Sequence, residues 1–572
     1  MGKNHRQTLL AASLALALVL VSCAPAAAPA PAAPQAPSAP APAAPQAPAA
    51  PAAPAAAPRP TVAASAPAPV AQTPKSGGGL QLGTIANLGN FAMQGAPSIN
   101  VTMVLAPVYN NLVQYDEETG SKIVPALAES WDVSKDNLTY TFKIRKGVNF
   151  HDGKSFAVED VLYNLDRVRN PPKGFASNLG WILDVVNKVE KVGDDSVRLT
   201  LEYPFAPLLT VLAHDYLPMF PKHVVEAKGD MKTTAIGTGP FKLKNYTPSV
   251  SLELVKNADY WVKGRPYLDG ITFPIIVDRS TYLAALRTGQ VHRTGRVFGA
   301  LSPSEKETIQ KNAPDTVFYA SPNVISPWVQ LNTREGPFKD VRVRKAVSLA
   351  LDRQAAVKVL AEGAGLLGGV FPTFKAWGYS QNELDKLPGL RQPKDQDLAQ
   401  AKKLMADAGY PNGFELTVLS RTNKQTRDAA TFLTAQLQPL GIQAKVEVLE
   451  DALFWDRGRK ATFQAMTYTP VDTMPDPHWM SRYYLQGSPL VFTGLNDPKI
   501  KDLHEKQVRE PDVAKRKAML QEMERHILTE AVDSIPIVWP FTFISVSPKV
   551  KGFTPSISDY VLNRLEAVWL SE

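Results

Sequence analysis

A predicted strand, helix and strand follow one another between residues 414 and 448, and this order constrains the fold more than any other feature. Residues 414–418 and 442–448 alternate between apolar and polar side chains, which is typical of half-buried strands. Residues 427–440 predict a helix that ends at Gly441. Two strands joined by one helix normally lie parallel in one sheet, with a right-handed crossover. The sequence therefore predicts an α/β lobe that contains a parallel pair of strands.

A further helix is expected just before this unit. Its apolar stripe consists of Leu398, Ala401, Met405 and Ala408. Aspartate favours the N-cap because its carboxylate accepts free backbone N–H groups, so Asp395 or Asp397 is expected to open the helix. Gly409 is expected to end it.

The N-terminus has the pattern of a bacterial export signal. Basic residues precede an apolar run at 9–21, which is shorter than the ~20 residues of a comfortable membrane span. Residues 20–23, Leu-Val-Ser-Cys, resemble a lipobox, in which the cysteine is acylated and becomes the mature N-terminus. The alternative is an ordinary signal peptide with an incidental cysteine. Because Cys23 is the only cysteine in the chain, the sequence predicts a lipoprotein with a signal peptide at 1–22 and no disulfide.

Residues 24–76 are almost entirely Ala and Pro, with Arg59 and Lys75 as the only charges. Such a segment cannot bury a core, and its prolines favour extended polyproline II. At ~3.1 Å per residue it could reach on the order of 150 Å. We therefore expect residues 23–76 to be a lipidated cysteine followed by a disordered tether. A proline-rich ligand for a partner domain is the alternative.

About 495 residues follow the tether, which is more than one hydrophobic core usually supports, so two or more lobes are expected. The net charge of +8 is spread along the chain rather than gathered in a stripe. Together with the export signal, this pattern makes a nucleic-acid partner unexpected.

Residues 138–168 change from the period of a strand to the period of a helix. Residues 138–144 alternate, residues 148–150 are expected to run back between two glycine turns, and residues 158–168 carry one apolar helical face. The surrounding stretch 124–161, VPALAESWDVSKDNLTYTFKIRKGVNFHDGKSFAVEDV, resembles the signature of solute-binding protein family 5. Further blocks resemble the family in the same order, at 236–243, 257–269, 336–353, 401–418 and 516–538.

The resemblance implies an α/β, bilobed periplasmic-binding-protein fold of class II, or cluster C type, with an extra subdomain in the first lobe. It places lobe I at 77–325, with the subdomain at about 125–230, lobe II at 326–538, and a return to lobe I at 539–572. It implies a monomeric, extracytoplasmic substrate-binding lipoprotein of an ABC importer. Such a receptor captures peptides or related small solutes and delivers them to a permease with cytoplasmic ATPases.

The resemblance also places a ligand groove where the chain passes between the lobes. The first crossing falls near 323–332, and Trp328 stands where peptide receptors often carry a ligand-facing tyrosine. The return crossing falls near 537–541, which makes Trp539 or Phe541 a second candidate. Ordinary core aromatics are the alternative at these positions.

In peptide-binding members of the family, an aspartate before a Pro-Asp-Pro element pairs with the α-amino group of the peptide. Asp472 is the nearest match, although its spacing to residues 475–477 is one residue longer than the common pattern. Tyr468 stands where a tryptophan is frequent in the family. A loop aspartate without a ligand is the alternative.

Residues 288–296, TGQVHRTGR, depart from the family by replacing acidic residues with His292 and by adding Arg293 and Arg296. Because a guanidinium binds carboxylate or phosphate with two hydrogen bonds, we expect Arg293 or Arg296 to contact an anionic group of the ligand. A solvated basic loop is the alternative.

The sequence carries no constellation that predicts catalysis, and no cofactor or metal is expected. Residues 363–368 spell GxGxxG but follow a predicted helix, so we assign them to a loop. The histidines are scattered, and the pair Asp194-Asp195 is expected in a turn between strands. The chain is therefore predicted not to be an enzyme. An extracytoplasmic hydrolase or peptidase on the same scaffold and a ligand-sensing envelope lipoprotein are the alternatives.

Overall fold

The computed structural model describes residues 73–94, 98–116, 120, 122–172, 182–295, 299–372, 377–472, 474–488, 491–555 and 564–571. The predicted signal peptide, Cys23 and nearly all of the predicted tether lie outside the described residues, as does Arg296. Within the described ranges, no helix is long and apolar enough to cross a bilayer.

The strands, in chain order, are β1 (Gly79–Gln81), β2 (Val113–Tyr115), β3 (Ile123–Pro125), β4 (Ala128–Val133), β5 (Thr139–Ile144), β6 (Val186–Val192), β7 (Ser196–Leu201), β8 (Phe241–Thr247), β9 (Ser251–Lys256), β10 (Gly270–Pro274), β11 (Val317–Pro322), β12 (Trp328–Leu331), β13 (Gly365–Leu367), β14 (Glu415–Arg421), β15 (Gln443–Leu449), β16 (Ala465–Tyr468), β17 (Ser534–Pro536), β18 (Val538–Val546), β19 (Val550–Lys551) and β20 (Trp569–Leu570).

The α-helices are α1 (Ile99–Leu105), α2 (Val158–Arg169), α3 (Leu208–Leu212), α4 (Lys222–Lys228), α5 (Arg279–Arg287), α6 (Pro303–Asn312), α7 (Val341–Ala350), α8 (Arg353–Leu360), α9 (Gln381–Leu384), α10 (Asp395–Asp407), α11 (Lys424–Leu437), α12 (Asp451–Arg459), α13 (His478–Ser481), α14 (Pro498–Arg509) and α15 (Val513–His526).

Two sheets organise the residues before 323, which we call the N-terminal region. One has the order β1-β10-β9-β8, with β1 parallel to β10 and the rest antiparallel. The other is antiparallel, with the order β4-β5-β7-β6. Tyr140, Phe142 and Ile144 of β5 are buried as the alternation predicted, because every second side chain of a strand points to the same face.

The predicted glycine turns on both sides of residues 148–150 are confirmed, but the residues between them do not form a strand. These residues form a single isolated bridge, between Asn149 and Ser155. Gly147 and Gly153 take φ values of +74° and +87° and turn the chain on both sides, which leaves too few residues for a ladder. The following helix is confirmed as α2, and Asp194-Asp195 does lie in the turn between β6 and β7.

A five-stranded sheet organises residues 328–536, which we call the C-terminal region. Its order is β15-β14-β16-β12-β17, and β14 pairs with β15 in parallel along its full length, from Glu415–Gln443 to Arg421–Leu449. Helix α11 connects these two strands and packs Leu433 and Leu437 into the core. The parallel pair predicted from the sequence is therefore confirmed.

Helix α10 begins at Asp395, one of the two predicted positions, but the expected N-cap role of an aspartate is wrong. The N-cap position is Lys394, and Asp397 lies inside the first turn, fully buried. Its carboxylate contacts Arg391 at 2.8 Å and Lys394 at 3.0 Å and accepts the N–H of Gly389 at 2.8 Å. A buried carboxylate needs such partners to offset its lost hydration, so Asp397 fixes the preceding loop rather than the helix end. The helix ends before Gly409 as predicted.

The GxGxxG segment is not a simple loop. Gly365–Leu367 form β13, which pairs with β18. A Cβ on Gly368 would lie 2.5 Å from the carbonyl carbon of Ile537, so glycine is required there by the close approach of two backbones.

The two chain passages between the regions lie side by side and are hydrogen-bonded to each other. We call residues 323–327 and 537–541 the crossing. Asn323 N–H donates to Pro540 O at 2.8 Å, and Ser326 Oγ donates to Val538 O at 2.7 Å. Strand β18 also pairs with β11 and β13 in a three-stranded sheet. The lobe boundaries at 325 and 538 remain predictions.

Candidate functional site

Asp472 lies directly against the crossing. Val471 forms an antiparallel bridge with Ile325, and the N–H of Asp472 donates to Val324 O at 2.7 Å. The residue is 1% exposed. A carboxyl group is therefore withdrawn from water at the point where the chain passes between the two regions.

The backbone next to Asp472 is fixed by two aromatic side chains. The indole N–H of Trp479 donates to Val471 O at 2.7 Å. The N–H of Val471 donates to the hydroxyl of Tyr483 at 3.2 Å. Sequence reasoning missed both residues; the signal is their spacing of four, which places two aromatics on one face of the helical turns that follow Pro477.

Trp328 and Tyr468 lie next to this segment. They are directly opposite each other on β12 and β16. The ring of Trp328 lies 5.9 Å from Tyr483 and 5.4 Å from Tyr484, and Tyr468 lies 6.1 Å from Tyr483. Burial raises the pKa of Tyr468 well above its ordinary value, so its hydroxyl is neutral. The structure therefore groups Trp328, Tyr468 and Asp472, while direct ligand contact remains a prediction.

Trp539 and Phe541 lie on β18 within the crossing. The indole N–H of Trp539 donates to Gly369 O at 2.9 Å, and its side chain is fully buried. Phe541 lies opposite Pro322 and is 7% exposed. Both residues belong to the crossing, and the indole N–H of Trp539 already has a backbone acceptor. Contact of either residue with a ligand remains a prediction.

Arg293 is packed into the N-terminal region. It is 8% exposed, which excludes a solvated loop for this residue. Its backbone bridges Leu82 and Val546, and its guanidinium carbon lies 4.3 Å from the ring centre of Phe553. Stacking of this kind holds the arginine side chain in place. The predicted role of Arg293 and Arg296 in binding an anion remains a prediction, and Arg296 lies outside the described residues.

A cavity of about 190 Å³ opens beside the crossing. It is lined by Pro327, Val538 and Pro540 of the crossing, by Leu360, and by Lys424, Gln425 and Asp428 of α11. The amide of Gln425 donates to Ile325 O at 3.4 Å. The cavity is thus apolar where the crossing and Leu360 line it and polar where α11 lines it.

The N-terminal and C-terminal regions also touch at a second place, which we call the far contact. The ring of Phe205 meets the ring of His478 edge to face at 5.1 Å, and the N–H of Ala206 donates to Val508 O at 2.8 Å. Met474 belongs to the same hydrophobic cluster as residues 112–219. The short segment from Asp472 to His478 therefore runs from the crossing to the far contact.

The far contact rests on a buried polar cluster. Asp476 receives two hydrogen bonds from Arg516, at 2.6 and 2.7 Å, and both side chains are 5% exposed. Ser481 Oγ lies 2.8 Å from Nδ1 of His504. Burial lowers the pKa of His504 to about 3, so this imidazole stays neutral. A fully buried serine beside such a histidine serves packing better than nucleophilic attack.

Within the described part of the chain, no three or more His, Cys, Asp or Glu side chains are grouped as a metal site would require.

Comparison with known proteins identifies the family of the chain. The family model of bacterial extracellular solute-binding proteins, family 5 (middle), matches residues 122–490. The glutathione-binding protein GsiB of Salmonella choleraesuis (strain SC-B67) is 32% identical over 369 residues, which cover 63% of this chain and 68% of that protein.

Solved structures share the fold over most of the chain. DppA from Helicobacter pylori, an ABC transporter-associated periplasmic binding protein in complex with the peptide STSA, matches with a TM-score of 0.73 at 27% identity, over 87% of this chain and 99% of that one. AgaA from A. tumefaciens R10, in complex with agropinic acid, matches with a TM-score of 0.72 at 27% identity. The match covers 86% of this chain and 99% of that one. With this bilobed α/β fold, the chain belongs to the bacterial extracellular solute-binding proteins of family 5, the substrate-binding proteins of ABC transporters.

Proposed function

We propose that this protein captures a short peptide, or a small solute with a cationic amine, between two lobes and delivers it intact to its permease. Lobe I comprises residues 77–325, with a subdomain at about 125–230, and lobe II comprises residues 326–538, followed by a return to lobe I. The main observation behind the proposal is the buried Asp472, whose backbone is hydrogen-bonded to the crossing.

The position of Asp472 favours a cationic ligand, because it is the nearest match to the aspartate that pairs with the peptide α-amino group in peptide-binding members of the family. Removing a carboxylate from water is costly unless an opposite charge or several hydrogen-bond donors compensate it. A peptide α-ammonium offers both a charge and three N–H donors. The aromatic side chains of Trp328 and Tyr468 supply an apolar surface beside it, and Trp539, Phe541, Arg293 and Arg296 complete the proposed set of ligand contacts.

The solutes of the relatives support this choice. GsiB is a glutathione-binding protein, DppA was solved with the peptide STSA, and AgaA with agropinic acid. These are small, polar, organic solutes, and two of the three are peptides. A binding protein of this kind releases its solute unchanged, so we propose that the chain is not an enzyme.

We further propose that Cys23 is lipidated and holds the protein on a bacterial membrane, facing the periplasm or the cell exterior. Residues 24–76 would then be the tether between the lipid and a monomeric receptor. Replacing Cys23 with serine should release the protein from the membrane fraction. Retention of Cys23→Ser in that fraction would contradict the anchor.

The main test uses calorimetry to measure how tightly the protein binds peptides of two to five residues. Each peptide is tested with a free and with an N-acetylated amino terminus. The panel includes glutathione and Ser-Thr-Ser-Ala. We expect binding of free peptides, and a loss of at least about 30-fold in Asp472→Asn, because one partner of a buried charge pair is removed. Asp533→Asn is the matched control, since Asp533 is equally buried but bonds to Thr493 instead. Equal affinity of wild type and Asp472→Asn would refute the amine site.

A further inference from the structure

The turn Asp476–Trp479 connects the far contact to the backbone beside Asp472. His478 and Trp479 are neighbours in the chain but contact different parts of the molecule. The ring of His478 meets Phe205 in the N-terminal region. The indole of Trp479 donates to Val471 O, one residue before Asp472.

The turn is fixed by hydrogen bonds to the buried carboxylate of Asp476. One carboxylate oxygen of Asp476 accepts both the N–H of His478, at 2.8 Å, and an N–H of Arg516, at 2.7 Å. The other oxygen accepts a second N–H of Arg516 at 2.6 Å. Arg516 in turn donates to Gln507 at 2.9 Å, on the helix that carries Val508 of the far contact. Two-pronged guanidinium–carboxylate bonds fix orientation as well as distance.

Trp479 packs against two hydrophobic clusters. It contacts the hydrophobic cluster built on residues 112–219 and also the cluster that contains Trp328 and Tyr468. A displacement at the far contact is therefore expected to shift the indole and the carbonyl oxygen that it binds. The close packing of protein interiors transmits such shifts rather than absorbing them.

We propose that the turn Asp476–Trp479 makes recognition of the ligand amine depend on lobe closure, with Trp479 as the positioning residue for Asp472. This inference rests on the proposed function of Asp472. When the ring of His478 contacts Phe205, the turn is fixed in the position in which the indole of Trp479 donates to Val471 O. This hydrogen bond then orients the carboxyl group of Asp472. When the far contact separates, that support is lost and the amine is recognised less well.

The experiment compares the best-binding peptide of the panel with its N-acetylated form and reports the ratio of the two affinities. Trp479→Phe keeps a ring but removes the N–H, and we expect the ratio to fall about 3- to 10-fold for one lost hydrogen bond. Trp261→Phe is the matched control, because it removes an indole donor to Asn110 at 3.1 Å beside the same hydrophobic cluster. The control should leave the ratio unchanged.

Phe205→Leu supplies the second arm, since it weakens the far contact by a substitution in the N-terminal region and removes neither partner of the hydrogen bond from Trp479 to Val471 O. We expect this variant to lower the ratio as well as the affinity. An unchanged ratio in Phe205→Leu, or equal behaviour of Trp479→Phe and Trp261→Phe, would overturn the coupling. Asp472→Asn separates the amine site from its coupling to closure. If Asp472→Asn keeps the ratio of affinities for free and N-acetylated peptide, the amine site itself is refuted. If Asp472→Asn loses this ratio while Phe205→Leu leaves it unchanged, only the coupling is refuted.

Discussion

The crossing and the far contact join the same two regions of the molecule by different means. At the crossing, two chain passages share backbone hydrogen bonds and a strand, β18, that pairs on both sides. At the far contact, aromatic and aliphatic side chains meet, with the bond from Ala206 to Val508 as a backbone link. A connection made of paired strands persists when domains move, whereas a side-chain contact can separate. We therefore expect the crossing to act as the hinge and the two sides of the far contact to move apart.

Acid should disrupt the far contact more than the crossing. Burial holds the pKa of His504 at about 3 and that of His478 well below its ordinary value, with Arg482 and Arg516 acting in the same direction. A lowered folded-state pKa means that the unfolded chain binds more protons, so the stability that these two histidines contribute is complete above pH ~6.5 and is lost as the pH falls towards 3. For His504 the loss is at most about 5 kcal/mol. Urea unfolding across this range measures it.

The matched variant for this pH dependence is His504→Gln, which keeps a polar side chain beside Ser481 but cannot titrate. Its free energy of unfolding should fall less between pH 6.5 and 3 than that of the wild type. Identical pH dependence in the two proteins would show that His504 does not set the acid response.

Removing Arg516 should destabilise the base of the far contact by about 3–5 kcal/mol, because Asp476 would remain buried without its counter-charge. Both side chains are 5% exposed, so water cannot easily replace the lost bonds. Chemical denaturation of Arg516→Ala measures the change. Arg516→Lys, which keeps the charge but loses the two-pronged geometry, should recover part of it; a change below about 1 kcal/mol in Arg516→Ala would contradict the ion pair's role.

A methyl group added at Gly368 should damage the crossing by about 1–3 kcal/mol through overpacking. The new Cβ would lie 2.5 Å from Ile537 and 2.6 Å from Pro536, both on backbone atoms that cannot move aside. Gly79→Ala is the control, because nothing lies within 4 Å of its Cβ position. Thermal unfolding of both variants tests this; equal melting temperatures would show that the two backbones are not tightly apposed.

The smallest expected change in stability concerns a surface ion pair away from the crossing and the far contact. Lys403 and Asp407 lie one turn apart on α10, at 2.6 Å, with 75% and 44% of their side chains exposed. Lys403→Ala should cost about 0.3–0.5 kcal/mol, because exposed pairs are screened by water and salt. Binding of peptides should not change. A cost above about 1 kcal/mol would require a role for this pair that its exposure does not suggest.

Local periodicity was enough to predict much of the fold, but it did not predict the contacts between residues far apart in the chain. The parallel pair β14 and β15, strand β5 and helix α2 follow from the spacing of their apolar residues. The strand β13 was missed because three residues carry no readable period and pair only with a distant partner. Asp397 was misread because its buried ion pairs with Arg391 and Lys394 compete with capping.

The candidate site shows the same division. The resemblance to family 5 indicated Asp472 and the crossing, and the structure places Asp472 against Val324. The support by Trp479 and the far contact with Phe205 could not be read from the sequence, because residues 205 and 478 are joined only through folding. Such pairings depend on how whole sheets and helices pack together, which no local pattern records.

The central claim is that ligand binding brings the two regions together about the crossing. Spin labels at Lys188 and Lys506, which are 63% and 60% exposed on opposite sides of the far contact, report the separation by double electron–electron resonance. Replacing Cys23, the only cysteine of the chain, makes the labelling specific. We expect a saturating peptide to shift the population to the shorter distance, with a broader and longer distribution in its absence. The same distribution with and without bound peptide would contradict the claim.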